Sequence, residues 1–157
     1  MTPTRATEAV AIRDLRQQDL PEVVRIDALQ TGESKPDYWK RVFRDFLERD
    51  GEPLRVGLCA EGKEGLVGYL FGEVRAFEFG WATCGWIFAV GVDPAHLRKS
   101  IATMLLALTC RRFKESGIRH IRTMVGRNNV PVLSFFRANG FVGGSFVQLE
   151  LDLEGEA

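Results

Sequence analysis

The sequence predicts a mixed α/β (α+β) fold, a mostly antiparallel sheet flanked by helices in the order β-α-α-β-β-β-α-β-α-β. Three observations predict it. Three strand-like runs follow one another between residues 54 and 92, separated only by a turn and a loop, which builds consecutive hairpin strands. A strong helical pattern, a strand, a short helix and a last strand come next, and these read as crossover connections. The chain has 157 residues, 45% apolar and 27% charged, the size and composition of one globular domain, expected over residues 1–157.

The elements follow from local signals. Val10 to Arg13 is short and β-like. Asp19 reads as an N-cap, Glu22 completes a capping box, and Pro21 sits in the first turn of a helix through Val23, Val24, Ile26 and Leu29. After the loop ending at Pro36, the pairs Tyr38/Trp39, Val42/Phe43 and Phe46/Leu47 recur every four residues as a helical stripe, which Asp50-Gly51-Glu52-Pro53 ends. Strands are predicted over Leu54–Ala60, Leu66–Val74 and Trp81–Val92, with a hairpin turn at Glu61–Gly65. Ile101 to Phe113 is helical and Ser116-Gly117 ends it. Ile118 to Val125 reads as a strand, Val132 to Ala138 as a short helix stopped by Asn139-Gly140, and the alternation from Phe146 to Leu153 as a half-exposed last strand.

Charge is unevenly placed. Residues 1–97 carry 12 basic and 16 acidic side chains, residues 98–147 carry nine basic and one acidic, and residues 148–157 carry four acidic and no basic ones. The total is zero, which argues against a nucleic-acid binder, while the central positive block suits either a solvated helix face or an anionic partner such as a phosphorylated cofactor. Cys59, Cys84 and Cys110 form no metal-ligand spacing. Their odd number and apolar surroundings read as reduced thiols that fill space in a cytoplasmic protein. No window approaches the ~18 apolar residues of a membrane span, and the polar start of the chain does not read as a secretory signal.

The segment from Val90 to Ala102 joins a strand to a long helix. A helix N-terminus exposes unpaired N–H groups at the positive end of its dipole and is a ready anion site, with Arg98 and Lys99 beside it and small residues at Ser100 and Ala102. An ordinary strand-to-helix turn has the same composition.

Here a resemblance becomes specific. The run Val92-x-Pro94-x-His96-x-Arg98-Lys99-x-Ile101-Ala102 is similar to the acyl-CoA motif of the GNAT N-acetyltransferase superfamily. Asn129 to Phe141 resembles the family's later motif, N-x-x-A-x-x-[FL]-Y-x-x-x-G-F. The resemblance runs from about Val10 to Leu153 and implies a GNAT-like fold and transfer of an acetyl group from acetyl-CoA, the co-substrate, to an amine, with no metal. A non-catalytic acyl-CoA-binding or sensing module is the alternative. By the resemblance, the pyrophosphate of CoA lies on the amides of Leu97, Arg98, Lys99, Ser100, Ile101 and Ala102. The pantetheine arm adds to the edge of the strand at Val90, Gly91 and Val92, and Asn129 bonds the pantetheine region.

The sequence departs from the pattern at three places. Leu97 replaces the usual Gln or Arg. Ser100 replaces a Gly, which costs about 1 kcal/mol if the backbone there needs a positive φ and nothing if it is helical. Phe136 replaces a Tyr thought to protonate the departing thiolate. Trp86 and Met124 stand where relatives carry a glutamate, which leaves Glu73 as first choice for the base, ahead of Glu78 and Glu33. His96 reads as a packing or loop residue and His120 as an exposed one. Trp81, Trp86, Phe77, Phe79, Tyr38 and Trp39 either wall an acceptor pocket or belong to the core. The resemblance leaves the acceptor amine open, and the short stretch after Phe141 predicts an exposed sheet edge and a homodimer.

Overall fold

A computed structural model describes residues 9–48, 54–76, 78–96 and 99–155. The chain divides into two compact units, one ending at Met124 and one beginning at Val125.

The first unit holds β1 (Ala11–Asp14), α1 (Leu20–Thr31), α2 (Pro36–Leu47), β2 (Arg55–Gly62), β3 (Gly65–Arg75), β4 (Cys84–Val92), α3 (Lys99–Glu115) and β5 (Ile121–Thr123). The strands form one sheet in the order β1-β2-β3-β4-β5. The first three pairings are antiparallel, as hairpin order dictates, and β4–β5 is parallel because α3 returns the chain across the sheet.

Strand alternation assigns the faces. Tyr69 and Phe71 of β3 pack on one face with Val23 and Ile26 of α1 and Trp39 and Phe43 of α2, all buried. Gly68 and Gly72 of β3 and Gly85 of β4 lie on the other, beneath α3. A Cβ at Gly68 would lie 3.1 Å from Ile101, and one at Gly85 would lie 2.9 Å from the Phe113 ring. The missing side chains let α3 settle onto the sheet. Gly117, at φ 83°, then ends α3, and the Ile118 amide donates to the Phe113 carbonyl at 3.0 Å.

The second unit holds α4 (Val130–Ala138), with Asn129 as N-cap and Phe136 packed on Phe135 and Phe141 at ring separations of 5.1 and 5.0 Å.

The element order is the predicted one through α4, with four differences. Asp19 stands at the start of α1 but makes no cap bond. Its carboxylate takes two hydrogen bonds from Arg13, at 2.8 and 2.9 Å, and one from the Arg16 amide at 2.7 Å, while Glu22 pairs with Arg25. A bidentate guanidinium outcompetes a single amide. β4 starts at Cys84 rather than Trp81, after a 3₁₀ turn at Glu78–Gly80. β5 is limited to Ile121–Thr123 because Ile118 is spent on closing α3. Residues 146–153 belong to no strand, and Val147, Leu149, Leu151 and Leu153 are 77–90% exposed. Alternation supplies a strand's pattern but not an edge to pair with. The residues expected to end α2, Asp50 to Pro53, and also Phe77, lie outside the described residues.

The Arg13–Asp19 pair ties β1 to the start of α1. Burial alone would raise the Asp19 pKa, but the hydrogen bonds from Arg13 and the Arg16 amide outweigh it and hold the carboxyl below its usual range. Its contribution is therefore complete above the ordinary value of ~4 and is lost as pH falls through the folded value. Asp19→Asn should cost on the order of 2 kcal/mol at pH 7, and urea unfolding should show the gap from wild type narrowing toward pH 3.

Candidate functional site

The site is built from the way β4 changes neighbours. Along β3 it is paired from Cys84 to Val92, but along β5 only Gly85, Trp86 and Ile87 are paired. The Thr123 hydroxyl donates to the Ile87 carbonyl at 2.9 Å and closes the fork. Beyond it, the Phe88–Val92 edge facing away from β3 enters no ladder among the described residues. Alternate residues of this stretch, Val90 and Val92 among them, thus turn their N–H and C=O groups to the fork, the condition under which an extended ligand adds as a strand.

A bulge lies at the same place. Phe71 pairs with Ala89 and Gly72 with Ile87, so Phe88 is an extra residue on β4. It turns both Phe88 and Ala89 toward the α1–α2 side, where both pack against the core. Gly91 then falls opposite Tyr69, and the Tyr69 ring fills the space a side chain at Gly91 would take, with a built Cβ only 2.6 Å from the ring and 2.7 Å from the hydroxyl.

Tyr69 is 2% exposed, and its hydroxyl makes no hydrogen bond among the described residues. Burial, helped by the charge of Asp27, pushes the phenol well above its ordinary pKa. Asp27 accepts from Trp39 Nε1 at 3.0 Å and from Lys35 at 3.4 Å, and Trp39 lies edge-on to Tyr69 with ring centroids 5.5 Å apart. Sequence reasoning missed Tyr69. The signal for it is a Tyr opposite a Gly across a bulge, which needs the register.

The turn after β4 is fixed by α1. Gln30 Nε2 donates to the Val92 carbonyl at 3.1 Å. Asp93 accepts from Arg25 at 2.9 Å and from the Ala95 amide at 2.9 Å. Burial would raise the Asp93 pKa, but the Ala95 amide and Arg25 hold it below the usual carboxylate range. α3 then begins at Lys99, and Ile101 is buried and anchors its first turn on β3. Ser100 is helical and exposed, and Phe79 is the single non-glycine residue with positive φ among the described residues. The strain considered for Ser100 is therefore absent, and its cost is confined to narrowing the approach to the first-turn amides.

The predicted site residues fall into groups. Val90, Gly91 and Val92 lie on the open edge, and Lys99, Ser100, Ile101 and Ala102 form the start of α3. Leu97 and Arg98 lie outside the described residues. Asn129 and Phe136 belong to the second unit. The Asn129 side chain accepts from the Val132 amide at 3.4 Å, and Phe136 is buried. Glu73 lies on β3 opposite Trp86, half-buried, with Arg75 donating to it at 3.2 Å. Trp39 is core, whereas Phe79, Trp81 and Trp86 stack with Arg75 and Arg122 near the start of β4. His120 is exposed. Cys59 and Cys84 are buried free thiols, and burial pushes Cys59 up to about 12, as suits space-filling residues. No group of three potential metal-ligating side chains and no helix long and apolar enough to cross a membrane occurs among the described residues.

Comparison with known proteins places this geometry. The acetyltransferase (GNAT) family model matches residues 11–141. A mycothiol acetyltransferase of Nocardioides sp. (strain ATCC BAA-499 / JS614) is 22% identical over 151 residues, 87% of this chain and 51% of the relative. The chain spans about half the length, or less, of the curated relatives it matches. Among solved structures, aminoglycoside N-acetyltransferase AAC(6')-Iy in complex with CoA superposes with a TM-score of 0.79 at 15% identity, covering 95% of this chain and 98% of that one. AAC(6')-Ih from Acinetobacter baumannii gives 0.76 at 16% identity, covering 94% and 100%. At these identities the structures show a shared fold.

The Tyr69–Gly91 contact makes a direct stability prediction. Gly91→Ala should lower stability by about 1–3 kcal/mol, because the new methyl meets the ring. In a Tyr69→Ala background the same substitution should cost much less by thermal or urea unfolding, and additive losses would show that the two do not touch.

Proposed function

The chain belongs to the acetyltransferase (GNAT) family, and on that premise we propose that it transfers an acetyl group from acetyl-CoA to a primary amine of a small molecule or protein, with both substrates bound together. The observation that carries this reading is the open edge of β4 between the Ile87 fork and the start of α3. Its spare groups, the Val90 N–H and C=O and the Val92 N–H, suit the amides of a pantetheine arm, while the Val92 carbonyl is held by Gln30, and the first-turn amides from Lys99 to Ala102 suit a pyrophosphate. The names of the relatives, aminoglycoside and mycothiol acetyltransferases, support an amine acceptor.

The chain's own residues would act as follows. Outward amides of the bulged stretch hold the acyl carbonyl and favour charge on its oxygen. The acceptor nitrogen bonds to the acyl carbon as the carbon–sulfur bond breaks. An alkylamine has an ordinary pKa near ~10.4 and must first lose a proton. Glu73 is the proposed acceptor of that proton through water, since it lies two residues along β3 from the bulge, roughly 7 Å at about 3.3 Å per residue. Tyr69 supplies the phenolic donor that Phe136 cannot, toward the departing sulfur. We place the protein in the cytoplasm, where free thiols persist, and read it as a homodimer.

Thiol release from acetyl-CoA across a panel of primary amines, aminoglycosides included, tests the reading. Turnover with at least one amine is expected. Tyr69→Phe should lower kcat about 10-fold or more with the KM for acetyl-CoA little changed, the signature of a contact made as the bond breaks. Acetyl-CoA binding with no turnover on any amine would leave the acyl-CoA-binding or sensing module instead, and absence of binding would sink the proposal.

A further inference from the structure

The chain carries five lysines, and one differs from the rest in its surroundings. Lys40, Lys63 and Lys114 are exposed, whereas Lys35, in the turn from α1 to α2, is half-buried. Its ammonium donates to an Asp27 carboxylate oxygen and to the Thr31 hydroxyl, each at 3.4 Å, and its side chain is 32% exposed. Asp27 itself is buried. A buried carboxylate thus holds a primary amine that solvent still reaches.

Two sets of contacts connect this amine to the open edge of β4. The first runs through the end of α1. Gln30 donates to the Val92 carbonyl at 3.1 Å, and the next residue, Thr31, is a partner of Lys35. The second runs through the core. The Asp27 oxygen that Lys35 touches also accepts from Trp39 Nε1, Trp39 lies edge-on to Tyr69, and Tyr69 fills the space above Gly91. Both routes set the amine beside Gly91 and Val92. Tyr38 ties it to the proposed base as well. Burial raises the Tyr38 pKa, Asp27 adds to the rise, Lys35 opposes it and Glu73 adds again, so the amine and Glu73 both lie near this one phenol. The four-carbon stem of a lysine is flexible, and rotation about its single bonds carries Nζ out of the two 3.4 Å contacts toward the edge.

We propose that the protein acetylates its own Lys35. The step rests on the acetyl transfer proposed above and names one acceptor for it, supplied by the chain itself. The Lys35 ammonium first gives a proton to water by way of Asp27. The nitrogen lone pair then bonds to the acyl carbon of acetyl-CoA as the carbon–sulfur bond breaks. The sulfur keeps the electron pair of that bond and takes a proton from Tyr69. The second proton, lost by the nitrogen as the amide forms, returns to Tyr69 through water. The products are acetyl-lysine, the CoA thiol and one proton. Acetylation removes the charge that faces Asp27, and it ends at one group on this residue because an amide nitrogen is no longer a nucleophile.

Mass spectrometry of the full chain, incubated with acetyl-CoA and no added amine, tests this. Lys35 should gain one acetyl group at least about 10-fold faster than Lys40, Lys63 and Lys114, because its nitrogen is held beside the acyl group, and the rate constant should not change when the protein is diluted. Lys35→Arg keeps the charge beside Asp27 and should remove the modification. Labelling of Lys35 no faster than that of the exposed lysines is chemical acetylation by the thioester and overturns the proposal. A rate constant that rises with protein concentration overturns it too, because one copy would then be modifying another. Transfer to an added amine with Lys35 unmodified overturns this step and leaves the proposed function standing. No transfer either to Lys35 or to any amine overturns both.

Discussion

The constraint on which the structure depends is that β4 cannot stay paired on both sides. It runs nine residues beside β3, but β5 accompanies it for three. The cost of a fork is a row of main-chain groups without partners in a ladder, which a sheet tolerates only where something else satisfies them. Groups left outside the ladder in this way suit an extended polar ligand. Thr123 fixes where the parting begins, and α3 starts where it ends.

The bulge at Phe88 and the Tyr69–Gly91 contact follow from that constraint. An extra residue on β4 changes which side chains face the α1–α2 layer, and only a glycine then fits above Tyr69. Burial and the charge of Asp27 raise the phenol's pKa further above its ordinary value, and Asp27 is held in turn by Trp39 and Lys35. Gln30 and the Arg25–Asp93 pair anchor the end of β4 to α1. One helix therefore positions both the layer above the strand and the turn below the fork.

Much of this was legible in the sequence. The consecutive strands, the crossover through α3, the turn around Asp93-Pro94 and the helix stop at Ser116-Gly117 all follow from local chemistry. The open strand at Val90 to Val92 was instead an expectation drawn from the family resemblance, not from local chemistry. Cross-strand register was not legible. The bulge, the role of Tyr69 and the shortness of β5 depend on which residue lies opposite which, and one chain's composition does not encode that. Asp19 misled because its side chain satisfies an N-cap rule locally while a more distant arginine binds it better. The alternation from Phe146 to Leu153 was read as a last strand, yet those residues belong to none, because a period of two does not supply an edge to pair with.

The fork's purpose can be read most directly from amide hydrogen exchange of the β4 stretch with and without acetyl-CoA. The account predicts that saturating acetyl-CoA slows exchange from Phe88 to Val92 and in the first turn of α3, with Gly85 to Ile87 unchanged because β5 already covers them. Unchanged exchange along Phe88 to Val92 at saturation would contradict it, since the ligand would then lie somewhere other than the parted strand.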